Sequence, residues 1–345
     1  MKQNRLPNSE LSVSALGLGT MTFGEQNSAQ DAFEQMDLAH SAGINFLDAA
    51  EMYPVPPRPE TQGATESIIG DYLRRRGTRH QWVVATKVAA PGGPVDGLRP
   101  DMALDRRNLF AACDASLSRL GIDCIDLYQV HWPHRNTNFF GQLGYQTEQA
   151  ESATPILDTL SALNDLVQAG KIRYVGISNE TPWGAMQYLH LADKHDLPRA
   201  VSIQNPYNLL NRSFEVGMAE VAHRAPLPLL AYSPMAFGTL SGKYREGRRP
   251  EGARLTRFER FKRYTGPAAD AAIDDLLTIA SAFGLSPAQL ALAFVRTRPF
   301  TASTLIGATT LTQLEQNLAS VELAWSDELE AALQAHGETH RYPCP

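Results

Sequence analysis

Asp48, Tyr53, Lys87 and His131 bring a carboxylate, a phenol, an ammonium and an imidazole into the first 131 residues, a combination suited to proton transfer. A carbonyl that accepts a hydride develops an alkoxide that needs a proton. A tyrosine with an ordinary pKa of about 10 gives one up reluctantly at neutral pH. A neighbouring lysine favours the tyrosinate and lowers that pKa, and a carboxylate paired with the lysine keeps it charged and oriented. A histidine can hold the carbonyl oxygen and stabilise the charge that forms there. Taken alone, Asp48 and Lys87 could be a structural ion pair at the end of a strand. It is the set of four that points to chemistry. His134, in the polar loop beyond, reads as solvated surface.

These side chains need a scaffold that gathers distant segments. Short apolar runs of strand character alternate with longer segments of helical period: 16–20, 44–48, 82–87, 124–131, 171–178, 200–205, 227–233 and 303–308. Eight such runs match the closure number of a (β/α)8 TIM barrel, an α/β fold in which Asp48, Lys87 and His131 end three successive strands. A helix is expected from Thr154 to Ala169, ended by Gly170, and another with Ser286 as its cap and Pro287 at its first position. The segment RLPNSELSV reads as an N-terminal β-hairpin across the barrel bottom. A barrel takes about 250 residues, so the surplus falls in enlarged loops at the C-terminal face, after the second, fourth and seventh strands. The whole chain, 1–345, reads as a single barrel domain.

A formal net charge of −6 gives no electrostatic case for nucleic acid or an anionic membrane surface as partner, which leaves a small molecule as the default. The polar start lacks the apolar stretch of a signal peptide, and no run approaches the roughly 18 apolar residues of a membrane span, so a cytoplasmic location is expected. Cys113, Cys124 and Cys344 form no CxxC and have no histidine at ligand spacing, which supports neither a disulfide framework nor a metal site. Nothing in the sequence selects between a monomer and a homo-oligomer.

The segments FLDAAEMY, ATK and DLYQVHWP, with the four residues in order, resemble the aldo-keto reductase superfamily over essentially the whole chain. The resemblance implies an NADPH-dependent oxidoreductase that reduces an aldehyde or ketone, with the cofactor extended across the barrel mouth and no Gly-rich Rossmann loop. It assigns Ser178, Asn179 and Gln204 to the nicotinamide carboxamide and Tyr232 to stacking under the ring. Ser233, Met235, Gly238 and Lys243 fall in the loop over the pyrophosphate, with Arg254 further along it. Thr20, Met21 and Asp48 lie against the cofactor, and Gly307, Thr309, Gln313, Gln316 and Asn317 match the adenosine segment. Tyr53, His131, Trp132 and Met52 would wall the substrate pocket.

Two departures stand out. Tyr53 runs into a proline-rich insertion, MYPVPPRPETQG, that points toward the bacterial Tas-like branch and leaves Glu66 as the counterpart of a family glutamate. Gln313 stands where many members carry an arginine for the 2′-phosphate, a charge that Lys243 and Arg254 could supply instead. Two other readings compete. One is a cofactor-binding regulatory subunit that senses nicotinamide redox state, like the potassium-channel β-subunits of the same superfamily. The other is a Schiff-base aldolase using Lys87.

Overall fold

The structure, a computed structural model, describes residues 1–93, 95, 97–147 and 153–345. It opens with an antiparallel pair, β1 (Gln3–Arg5) and β2 (Ser12–Ser14), in which Asn4 faces Val13. Leu6, Leu11 and Val13 then pack against Phe46, Ala85, Leu127, Val201, Leu230 and Leu305 of the strands above. The hairpin therefore plugs the bottom of the barrel, as its alternating polar and apolar residues suggest.

Among the described residues eight parallel strands close that barrel. They are β3 (Leu16–Gly19), β4 (Phe46–Asp48), β5 (Val83–Val88), β6 (Ile125–Val130), β7 (Ile172–Ser178), β8 (Ala200–Pro206), β9 (Leu229–Tyr232) and β10 (Thr301–Ile306), with β10 returning to pair with β3. Each lies within about two residues of the run expected from sequence. The strands are buried on both faces, by the barrel interior and by the helices outside, which is why they read as nearly unbroken apolar runs. Parallel pairing brings all eight C-terminal ends to one mouth.

The helices that bear on the site are α1 (Ala29–Ser41), α2 (Ala64–Arg76), α3 (Arg106–Leu120), α4 (Ile156–Gln168) and α5 (Pro182–His195), followed by α6 (Met218–Arg224), α7 (Arg254–Arg257), α8 (Pro267–Ala282), α9 (Pro287–Thr297) and α10 (Leu311–Leu318). Ser28 and Asp31 form a capping box on α1, and Thr181 caps α5 ahead of Pro182. Two expectations shift. Helix α4 starts two residues late because Pro155 takes the cap position while Thr154 turns to Leu104 and His134. Ser286 does precede Pro287, but its side chain makes no capping bond. Part of the expected loop after the fourth barrel strand, 148–152, lies outside the described residues. No single helix among the described residues is long and apolar enough to cross a membrane.

Glu66 has a structural position. Buried in α2, it accepts from Thr86 Oγ1 at 2.6 Å and Arg119 Nε at 2.7 Å, and so ties α2 to β5 and α3. The same seam explains Gly70: a Cβ there would stand 2.5 Å from the Leu120 carbonyl oxygen, a backbone atom that cannot swing away. Gly70→Ala is therefore expected to destabilise the fold by about 1–3 kcal/mol, visible as a lowered thermal midpoint by circular dichroism. An unchanged midpoint would show that the α2–α3 seam is looser than this.

Candidate active site

Asp48 is the last residue of β4, and Lys87 and Gln129 sit opposite one another on the next two strands. Lys87 is completely buried. Its Nζ donates to Asp48 Oδ2 and to the Ala49 carbonyl oxygen, both at 2.7 Å. The other carboxylate oxygen of Asp48 accepts from Gln204 Nε2 at 2.8 Å and Gln129 Nε2 at 3.2 Å, and Gln204 also donates to Gln129 Oε1. Burial pushes the Lys87 pKa down, but Asp48 and Tyr53 outweigh it and the net shift is upward. The lysine is thus held as an ammonium, which removes the free amine that a Schiff base requires.

Tyr53 is held by its backbone. The residues after β4 continue along β5, with Ala49 N donating to Ala85 O and Glu51 N to Lys87 O. The buried Glu51 carboxylate accepts from Ala89 N at 2.6 Å and pairs with Arg99. Beyond, Gly63 N donates to Tyr53 O and Val55 N to Met21 O, and Arg58 pairs with Glu25, which moors the proline-rich insertion to the neighbouring loop. The Tyr53 ring ends with Lys87 Nζ 4.9 Å from its centroid and the His131 ring edge-on at 5.9 Å.

The expected fall in the Tyr53 pKa does not occur. Burial raises it by more than Lys87 lowers it, with Asp48 adding to the rise. His131 is shifted well below the usual histidine value, by burial first and then by Lys87, so its imidazole is neutral. Its Nδ1 is buried without a hydrogen-bond partner among the described residues.

A cavity of ≈ 1240 Å³ opens at this mouth. Lys87 lies beneath it. Asp48, Tyr53 and His131 line it, together with Thr20, Met21, Asn179, Gln204, Tyr232, Ser233, Met235, Gly238, Lys243, Arg254, Gly307, Thr309, Gln313, Gln316 and Asn317. Residues from every part of the chain that the sequence singles out thus converge on one trough. The chain belongs to the aldo/keto reductase family. The family model, described as "Aldo/keto reductase family", matches residues 15–338. "Protein tas" of Escherichia coli (strain K12) is 56% identical over 346 residues, covering 100% of both chains. An "Aldo-keto reductase" of Babesia bovis is 41% identical over 250 residues, covering 68% of this chain and 88% of that one. A "Probable voltage-gated potassium channel subunit beta" of Arabidopsis thaliana is 29% identical over 335 residues, covering 94% and 92%. This aldo-keto reductase is accordingly an oxidoreductase.

Two sequence expectations need correction. Trp132 does not wall the cavity: it is fully buried, donates from Nε1 to Pro91 O, and supports His131 on one side and Phe140 on the other. Phe140 and Leu143 line the cavity in its place. Ser178 also stands behind the lining, its hydroxyl donating to Gln204 O at 2.7 Å. Gln204, expected at the carboxamide, lines the cavity and donates its Nε2 to Asp48. Asn179, in the left-handed conformation that asparagine tolerates, donates to His131 O and accepts from the Tyr232 hydroxyl at 2.7 Å.

Gln129 escaped the sequence reading, although the signal was there: counting back two residues from His131 along β6 lands on the same inward face. Cys344, near the end of the chain, also lines the cavity, and burial pushes its thiol up to about 11.

The pKa directions define a pH profile. A phenol whose pKa is raised stays protonated, and a histidine whose pKa is lowered stays neutral. The kcat/KM for carbonyl reduction should therefore be flat from about pH 7 to 9 and fall only above about pH 10. A falling limb centred near neutrality would contradict the buried, protonated Tyr53.

Proposed function

We propose that this chain, acting as one barrel domain in the cytoplasm, reduces an aldehyde or ketone with NADPH, and that Tyr53 hands over the proton. The observation that carries this reading is the buried ammonium of Lys87, neutralised by Asp48 on one side and set against the Tyr53 ring on the other. An ammonium there favours negative charge on the phenol oxygen as its proton leaves. Burial keeps the proton in place until a stronger base, the developing alkoxide, arrives. His131, as a neutral imidazole, donates to the carbonyl oxygen and fixes it beside the Tyr53 hydroxyl. The apolar side chains of Met52, Val55 and Phe140 exclude water from that end of the trough.

The same trough suits a dinucleotide phosphate. Lys243 and Arg254 have no carboxylate partner among the described residues, and both pKa values are lowered by burial, for Lys243 also by Arg254. Two adjacent, partly desolvated cations facing a cavity call for an anion of more than one charge. Gly238 lies at φ +91° against Lys243: a Cβ there would be 3.0 Å from Lys243 Cε, so the bare backbone lets the lysine lie across the loop. Gln313 folds back onto Thr309, accepting from its N–H and hydroxyl, and supplies no charge itself. When bound, NADPH supplies the hydride; Lys243 and Arg254 would hold its phosphates, Asn179 and Tyr232 its nicotinamide end.

Tyr53→Phe is expected to lower single-turnover reduction of an aldehyde panel by about 10²–10⁴-fold while NADPH binding stays as in wild type. Full retention of turnover would remove Tyr53 as the acid. A wild-type protein that binds NADPH but reduces none of the panel would instead support the regulatory-subunit reading. Fluorescence titration should also show NADPH bound more tightly than NADH, with Lys243→Ala weakening NADPH by about 10- to 100-fold. Tighter NADH binding in wild type would overturn the choice of cofactor.

A further inference from the structure

Arg254, Arg257, Arg260, Lys262 and Arg263 all line the cavity, and none has a carboxylate partner among the described residues. In a chain of net charge −6 this is a local excess of positive charge. Elsewhere, by contrast, Arg99, Arg119, Arg135 and Arg298 each hold a carboxylate. Arg254 and Lys243 are accounted for by the cofactor in the reading above. Arg263 is left over, and it stands beside Tyr232.

Three contacts fix that position. Arg263 lies beside Tyr232, whose hydroxyl is bonded to Asn179. It lies over the ring of the buried Tyr264. Across the trough it meets Gly141, where a Cβ would stand 2.7 Å from Arg263 Nε; Gly141, at φ +85°, lets the guanidinium reach the loop that follows β6. Met52, Val55, Phe140 and Leu143 of the same cavity are apolar. The Arg263 guanidinium thus meets the loop that carries the apolar Phe140 and Leu143. A neutral substrate packed there would take more water from the guanidinium and add no countercharge. A carboxylate matches its planar fork with two parallel hydrogen bonds.

We propose that the carbonyl compound reduced here carries a carboxylate on an apolar body and that Arg263 receives it, an assignment that rests on the carbonyl-reductase reading. The test pairs 4-carboxybenzaldehyde with its methyl ester as substrates of the NADPH-loaded protein. It adds binding of benzoate against benzamide to the protein with NADP+, which needs no turnover.

The acid is expected to be preferred over the ester by at least about tenfold in kcat/KM. Arg263→Gln should collapse that preference, mainly through the KM of the acid, and abolish the preference for benzoate, while NADPH titrates as in wild type. Arg263→Lys should restore part of it. Equal use of acid and ester by wild type, or a preference that survives in Arg263→Gln, overturns the proposal. So does a loss of NADPH affinity in Arg263→Gln, which would assign the residue to the cofactor. Should wild type reduce neither aldehyde, Arg263-dependent benzoate binding would uphold the anion site while sinking carbonyl reduction, and equal binding of benzoate and benzamide would overturn the anion site.

Discussion

A buried ammonium held against a buried carboxylate governs this barrel mouth. Lys87 is fully enclosed and Asp48 nearly so, and taking two such charges out of water costs several kcal/mol per ion. Their 2.7 Å contact offsets part of that cost. The rest is offset by hydrogen bonds that saturate the pair: the Ala49 carbonyl on Lys87, and the amides of Gln129 and Gln204 on Asp48. The partners come from β5, β4, β6 and β8, so closure of the barrel and solvation of the ion pair are one event. Removing either charge leaves the other buried and unpaired, at a cost of about 3–5 kcal/mol.

The pair also organises what lies above it. The strand-like continuation from Ala49 to Glu51 runs along β5 and delivers Tyr53 to the ammonium, and the Glu51–Arg99 pair keeps that segment from lifting away. Burial and the cation act on Tyr53 in opposite directions, and burial prevails in the ligand-free site. That balance suits an acid that must hold its proton until the reacting oxygen takes on charge. The cavity that Tyr53 lines is also lined by Lys243 and Arg254 from the loop after β9, which have no carboxylate partner among the described residues.

Much of this was legible in the sequence because it followed from period and position. Eight apolar runs gave the barrel, and a polar residue at the end of such a run, as at Asp48, has one place to go, the mouth. Gln204 was legible as a site residue, but its bond to Asp48 was not, because only the fold brings the Asp48 oxygen to 2.8 Å from its amide. Trp132 was misplaced for a similar reason. The residue after an inward-pointing His131 points outward, and alternation carried one step further would have buried it behind Phe140. The sign of the Tyr53 shift was out of reach, since it depends on how completely the fold buries the phenol. Nor could spacing show that Cys344 and Arg263 line the cavity, because both arrive on irregular segments with no period to read.

The most direct test of the central pair is the single-turnover rate of hydride transfer in the NADPH-loaded Asp48→Asn variant, a near-isosteric change that removes the carboxylate charge. If Asp48 keeps Lys87 charged and aimed at Tyr53, the rate falls by about a hundredfold or more, with the NADPH dissociation constant within a few-fold of wild type. A rate equal to that of wild type would contradict the dependence of the site on the buried ion pair.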